Sequence, residues 1–259
     1  MKTQPSSGAR VVPILTYHSL DDSGAVTSVG PRGFRQHMRS LQRRGFTGIS
    51  LSELLEGWET SAPLPRRPIV LTFDDGFANL VDHAVPLLAE LKFRATVFAI
   101  SGRCGQTNDW PGQAAGVPHL PLLTWSALAE MVAADWEVGA HSVTHRPLTE
   151  MSLAEATREI RESKTTIEDK LGREVKTFAY PFGLFTPAMR NVVREDFHGA
   201  CSVRLARARA HEDWHELPRL DVYYVRRQLL FQLLETFPGH AYLALRRAGR
   251  AVRAGAIRN

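Results

Sequence analysis

A chain of 259 residues, 44% of them hydrophobic, is long enough to bury one large core and lies within the size range of a single α/β barrel. Its net charge of +5 comes without any recognisable nucleic-acid-binding motif, which disfavours nucleic acid as a partner. Two cysteines, Cys104 and Cys201, are too few for a disulfide framework, and no run approaches 18 uninterrupted apolar residues, so no membrane-spanning helix is expected.

Residues Met1 to Arg10 are polar and lack the apolar core of a signal peptide; they read as a flexible N-terminus and, taken literally, as a cytoplasmic chain. From there apolar strand-like runs recur near 11–16, 46–50, 69–73, 94–100, 136–140, 175–180 and 199–203. Helical patterns lie between them, over Phe34 to Arg44, Leu51 to Trp58, Ala78 to Leu91, Trp125 to Ala134, Leu153 to Leu171 and Pro187 to Glu195. Strand alternating with helix predicts parallel strands joined by right-handed crossovers, hence a (β/α) barrel domain over 11–236. Pro63 to Pro68 reads as a linker, and the longest irregular stretch, Ser101 to Leu123, as a loop that lines a substrate site. The segment 237–259 is basic. Tyr242, Leu245, Ala248 and Val252 can share a helix face opposite Arg246, Arg250 and Arg253, a pattern that suits a helix packed on the barrel or one resting on an anionic membrane surface.

The most informative segment is Thr72-Phe73-Asp74-Asp75-Gly76, which closes the apolar run Ile69-Val70-Leu71. Adjacent residues at a strand end can diverge, so one carboxylate can meet a cation while its neighbour keeps a free oxygen. Downstream, His141-Ser142-Val143-Thr144-His145 carries two imidazoles at i and i+4 after another strand-like run. Either motif alone is usually incidental, a turn or helix cap in the first case. Together, one Asp and two His make a three-ligand divalent metal site with open positions, leaving the other Asp as a base.

With these two motifs in this order, the chain resembles the polysaccharide deacetylase family, also called the nodulation-protein-B homology domain or carbohydrate esterase family 4. The resemblance implies a distorted barrel of seven strands, and a hydrolase that removes the acetyl group from an N-acetylated sugar. O-deacetylation, hydrolysis of another small amide, or a glycan-binding module without catalysis are the alternatives. It further implies Asp75, His141 and His145 as metal ligands, usually for Zn2+, with Co2+, Ni2+ or Fe2+ also used. Asp74 would be the base that takes a proton from the attacking water. In Phe178-Ala179-Tyr180-Pro181-Phe182-Gly183 the resemblance places oxyanion binding on the Tyr180 backbone N–H. Trp110, Tyr180 and Pro181 are the substrate-binding candidates.

Two positions depart from the family pattern. The usual arginine three residues before the tyrosine is replaced by Thr177. Arg219 could reach the same place and orient Asp74, or could equally form a surface salt bridge. No C-terminal Leu-x-His motif follows Arg219 to supply a general acid. His18, at the end of Val11 to Tyr17, resembles the N-terminal segment of the branch with permuted motifs that includes biofilm poly-N-acetylglucosamine deacetylases, and is the candidate acid. His215 and His240 compete with it.

Overall fold

In the computed structural model, which describes residues 11–236 together with 239, 241–242 and 244–246, the apolar runs become strands. They are β1 (Val11–Val12), β2 (Ile14–Tyr17), β3 (Thr47–Ile49), β4 (Pro68–Phe73), β5 (Thr96–Ala99), β6 (Glu137–Ala140), β7 (Thr177–Ala179), β8 (Gly199–Leu205), β9 (Ala208–Arg209) and β10 (Leu217–Asp221). The helices are α1 (Pro31–Arg43), α2 (Leu51–Thr60), α3 (Leu80–His83), α4 (Val85–Leu91), α5 (Trp125–Ala133), α6 (Leu153–Leu171), α7 (Pro187–Asp196) and α8 (Gln228–Gln232).

Parallel pairing runs β2, β4, β5, β6, β7, β8, β10 and back to β2, closing a seven-strand barrel. The expected strand number holds, but one member differs. The run at 46–50 forms β3, which pairs with β4 at Pro68 to Val70, while β5 takes the same edge further along, at Thr72 and Phe73; β3 is therefore a wedge at the N-terminal end. Its place in the ring belongs to β10, whose pairing with β8 is irregular between Leu217 and Arg219. Pro218 between them has no N–H to give the ladder, and a buried arginine interrupts the apolar signal, which is why periodicity passes over this strand.

Two helices differ from their sequence patterns for reasons of proline chemistry. Helix α1 begins three residues earlier than Phe34, at Pro31, because a first-turn proline needs no N–H partner. The pattern over Ala78 to Leu91 divides into α3 and α4, since Pro86 in the first turn of α4 cannot donate the bond that would carry one helix through. Helix α6 matches its pattern end to end: Ser152 and Glu155 form a capping box, and Gly172 closes it at φ 61°.

Alternation along β4 sorts the two layers of core. Ile69, Leu71 and Phe73 face the helices, whereas Val70 joins an inner cluster with Ile14, Phe98, Ala179 and Cys201. Leu51, Leu54 and Leu55 of α2 belong to the same inner cluster. Thr72 and Asp74 continue the inward row.

Beside β2, His37 of α1 is fully buried, stacked on Phe231 at 3.9 Å. Its Nε2–H donates to the Arg226 carbonyl at 3.1 Å and its Nδ1 accepts from the Tyr17 hydroxyl at 3.2 Å, the pattern of a neutral ring. Burial lowers its pKa to about 4, although the Arg226 carbonyl acts the other way. The unfolded chain holds this proton up to about pH 6.5. Between pH 6.5 and 4 it therefore binds more protons than the fold, and stability declines as pH falls through that window. The expected loss is on the order of 3 kcal/mol from this group, at about 1.36 kcal/mol per pKa unit. Denaturant midpoints at pH 7 and 4.5 check this; His37→Phe should show the smaller slope.

In the C-terminal segment, Tyr242 packs on the core and donates to the Tyr224 carbonyl at 2.9 Å. Arg246 lies over the rings of Tyr224 and Tyr242, and Leu245 is 73% exposed. Tyr242 thus packs as the pattern expects, whereas Leu245 and Arg246 depart from it, because the flat guanidinium stacks on the tyrosine rings while the aliphatic side chain stays exposed. His240, Ala248, Arg250, Val252 and Arg253 lie outside the described residues. Among the described residues no helix is long and apolar enough to cross a membrane.

Candidate active site

Strand β4 delivers both aspartates to the C-terminal mouth of the barrel. Asp74 continues the inward row of its strand and Asp75 turns away at φ 67°, a left-handed conformation that short polar side chains tolerate best. The two carboxylates consequently face different partners.

Asp74 meets Arg219, which projects inward from β10. The pair is bidentate, Nη1 to Oδ1 and Nη2 to Oδ2, both at 2.7 Å. The guanidinium also donates to the Ser202 carbonyl at 3.1 Å and the Thr72 hydroxyl at 3.2 Å, and it is 2% exposed. This is no surface salt bridge: Arg219 is buried against the one carboxylate it was expected to orient. Thr177, where the family's usual arginine stands, donates instead to Glu137 at 2.7 Å. Burial by itself would raise the carboxyl pKa of Asp74, but the Arg219 charge and its two bonds outweigh that and hold the group below the ordinary carboxylate value.

Asp75 faces His141 and His145, its Oδ1 lying 3.4 and 3.2 Å from their Nε2 atoms. The ligand atoms of the three residues lie within 4.8 Å of one another, all buried. His141 Nδ1 is 2.7 Å from the Ala179 carbonyl. A carbonyl only accepts, so Nδ1 carries a proton and Nε2 is the nitrogen left to face Asp75. His145 sits between the rings of Trp110 and Phe182, at 4.4 and 4.7 Å. Two imidazole nitrogens and a carboxylate oxygen aimed at one point fit a divalent cation, which these three residues could hold.

A cavity of about 200 Å³ opens over this group, at the small end for a ligand site. It is lined by Asp74, Asp75, His141 and His145 together with His18 and Tyr180. His18 follows β2, its Nε2 3.9 Å from Asp74 Oδ2. His215 is not among the lining residues; its Nε2 is 3.0 Å from the Phe197 carbonyl.

The substrate-binding candidates divide. Tyr180 lines the cavity, but its N–H donates to the Cys201 carbonyl at 3.3 Å and its hydroxyl to the His215 carbonyl at 2.9 Å. The amide on which the resemblance places oxyanion binding thus already has a partner in the sheet. Pro181 is buried and is not among the lining residues, because the chain turns left-handed just after it, at Phe182 (φ 56°) and Gly183 (φ 68°). Phe182 and Gly183 line the wall instead. Trp110 does line it, packed on His145 as part of the wall and only 5% exposed.

The loop carrying Trp110 is ordered by Asn108, which donates to the Pro118 carbonyl at 3.0 Å and accepts from the Leu120 N–H at 2.6 Å. Sequence reading missed Val26 and Thr27 of the β2–α1 loop, and Phe77, Gln113 and Val203, all lining residues. A short polar loop after a motif-bearing strand is the one signal that could have flagged the first pair.

Residues 61–196, more than half of the chain, match the polysaccharide deacetylase family. The poly-beta-1,6-N-acetyl-D-glucosamine N-deacetylase of Staphylococcus aureus is 25% identical over 177 residues, covering 65% of this chain and 58% of that protein. The chain thus spans less than two thirds of the length of the curated relatives it matches. Among solved structures, the Streptococcus pyogenes deacetylase PplD in complex with acetate superposes with a TM-score of 0.70 at 23% identity, over 82% of this chain and 92% of that one. IcaB from Ammonifex degensii gives 0.70 at 21% identity, over 87% and 98%. These two likenesses cover more of the chain than the matched segment and carry the barrel fold beyond it. The matched segment itself contains both aspartates, both histidines and Tyr180, and by it the chain belongs to the polysaccharide deacetylase family.

Proposed function

We propose that this protein is a metal-dependent hydrolase that removes the acetyl group from an N-acetylated sugar, releasing acetate and the free amine. The observation that carries the reading is the division of labour at the end of β4, where one aspartate joins two histidines and its neighbour is locked to a buried arginine. A binding module without catalysis has no use for the second arrangement. Two names among the similar proteins support the chemistry, an N-deacetylase of an N-acetylglucosamine polymer and a deacetylase holding acetate. No lysine or arginine is among the described residues lining the cavity, which suits a neutral acetamido group better than an anionic one.

Asp75, His141 and His145 would hold the cation, zinc being the ion the resemblance implies. When bound, it supplies Lewis acidity, lowering the pKa of a water to about 7 and polarising an acyl carbonyl. The chain's own residues do the proton work. A carboxylate offers about four lone-pair sites, so Asp74, with two taken by Arg219, keeps others free to accept the proton of the attacking water. Arg219 keeps Asp74 ionised and fixes its plane. His18 gives a proton to the amine nitrogen as the carbon–nitrogen bond breaks.

Acetate release from N-acetylglucosamine oligomers, measured with chelator and after restoring zinc, tests the reading. No acetate from any N-acetylated sugar by the metal-loaded protein would overturn it.

His18→Ala separates the acid from the rest. It should keep the metal and lower kcat by roughly 10²–10⁴. An acetyl ester should suffer less than an acetamide, since an alkoxide leaves with less protonation than an amine requires. If His215→Ala or His240→Ala showed that pattern while His18→Ala behaved as the parent, the acid would lie on the C-terminal side.

A further inference from the structure

We infer that Glu159 of α6, which touches neither the metal ligands nor the cavity, is the positioning residue that sets the protein's affinity for its metal. The loop between His141 and His145 must bring two imidazoles to one point within five residues, and it does so in a conformation that the side chains resist. Ser142 and His145 have φ of 63° and 62°, the left-handed region that residues other than glycine seldom occupy. Such a backbone persists only when its surroundings hold it.

Those surroundings grip the loop from two sides. On one, the N–H groups of Ser101 and Gly102 donate to the carbonyls of Ser142 and Val143 at 3.2 and 3.0 Å. Gly102 is required there, since a Cβ would stand 2.6 Å from the Val143 oxygen. On the other, Glu159 accepts three hydrogen bonds, each of 2.9 Å: Oε2 from the N–H groups of Val143 and Thr144, and Oε1 from the Thr144 hydroxyl. Two successive amides converging on one carboxylate oxygen is a charge-assisted clamp, stronger than the same bonds to a neutral acceptor. Within the loop, the Ser142 hydroxyl accepts from the His145 N–H at 3.0 Å. Glu159 stands beside the buried stripe of Ala156, Ile160, Ser163 and Ile167, so its backbone is fixed by the core and the clamp is rigid.

Without the carboxylate, the two amides and the hydroxyl turn to water and the loop relaxes toward unstrained backbone. The imidazoles then no longer converge, and the cost appears where their convergence is used, in metal binding. Groups that orient metal ligands typically contribute 10- to 100-fold to affinity.

This inference rests on the metal site proposed above, and the experiment keeps the two apart by measuring zinc directly, without substrate. Zinc binding to the chelator-stripped protein is titrated against a chromophoric chelator for the parent, Glu159→Ala and Glu159→Gln. The expected result is a dissociation constant about 10- to 100-fold weaker in Glu159→Ala. Glu159→Gln keeps an oxygen for both amides and an N–H for the Thr144 hydroxyl, and should stay within about threefold of the parent. At saturating zinc the kcat of Glu159→Ala should match the parent, because the clamp acts on affinity and touches no reacting atom. A parent that binds no zinc would sink the metal site itself. A parent that binds, with Glu159→Ala binding equally well, would overturn the role of Glu159 alone; so would a drop in metal-free Tm with affinity unchanged. Should Glu159→Ala fail to fold, Thr144→Val, which removes one of the three bonds, must weaken zinc binding or the inference fails.

Discussion

His141→Ala and Asp75→Ala should each leave a protein that purifies without its metal and has lost nearly all activity. Each removes one of three donors whose atoms lie within 4.8 Å of one another, and a two-donor remnant holds a divalent ion weakly. Without the ion a water keeps its far higher bulk pKa instead of one lowered to about 7, so at neutral pH the supply of hydroxide falls by many orders of magnitude and residual turnover reports only contaminating parent or stray metal. Stability gives an independent readout. An ion that binds the folded chain at about a thousand times its Kd adds roughly 4 kcal/mol to stability. Zinc should therefore raise the Tm of the chelator-stripped parent by several degrees and leave that of His141→Ala unmoved. Equal metal content in parent and both variants by elemental analysis would show that the three residues are not the ligands.

What the sequence made legible follows from how local each signal is. Asp74 with Asp75, and His141 with His145, are motifs of five residues each at the ends of apolar runs, and pleat alternation alone sends Asp74 inward while a left-handed turn sends Asp75 aside. Strands β4 to β8 are apolar runs long enough to read by period. Arg219 was harder, because an arginine inside a strand spoils the period that reveals the strand. Its partner lies 145 residues away, and nothing local announces a pairing that only barrel closure creates. Pro181 shows the opposite failure. A proline near a motif suggests a substrate surface, but whether it faces the cavity depends on the turn that carries it, and here Phe182 and Gly183 take that role. Glu159 carried a faint sign, a carboxylate bordering the buried face of a helix otherwise charged outside, and that sign becomes informative only once the loop packed against it is known.

The second large effect belongs to Asp74→Asn, which should retain the metal, lower turnover by roughly 10²–10⁴ and also destabilise the fold. The two losses have different causes. Asparagine keeps the shape of the side chain but cannot take the proton of the attacking water, which removes the base without disturbing Asp75, His141 or His145. It also leaves Arg219 in place, a guanidinium 2% exposed that stays charged because a guanidinium does not deprotonate in a protein, although the variant lacks the Asp74 charge that offsets the effect of burial in the parent. Of the two 2.7 Å bonds, the asparagine oxygen can accept one, and its NH2 group faces the other N–H donor to donor. An unpaired buried charge of this kind costs about 3–5 kcal/mol, measurable as a fall in the denaturant midpoint. Adding Arg219→Met should separate the effects. With both charges gone and the volume kept, much of the stability should return, since a buried pair replaced whole is often neutral, while turnover stays at the level of Asp74→Asn. If Asp74→Asn were fully active, another group would be the base; if it lost the metal, the roles of the two aspartates would be exchanged; and if its stability matched the parent, the Arg219 charge would be compensated by a partner other than Asp74.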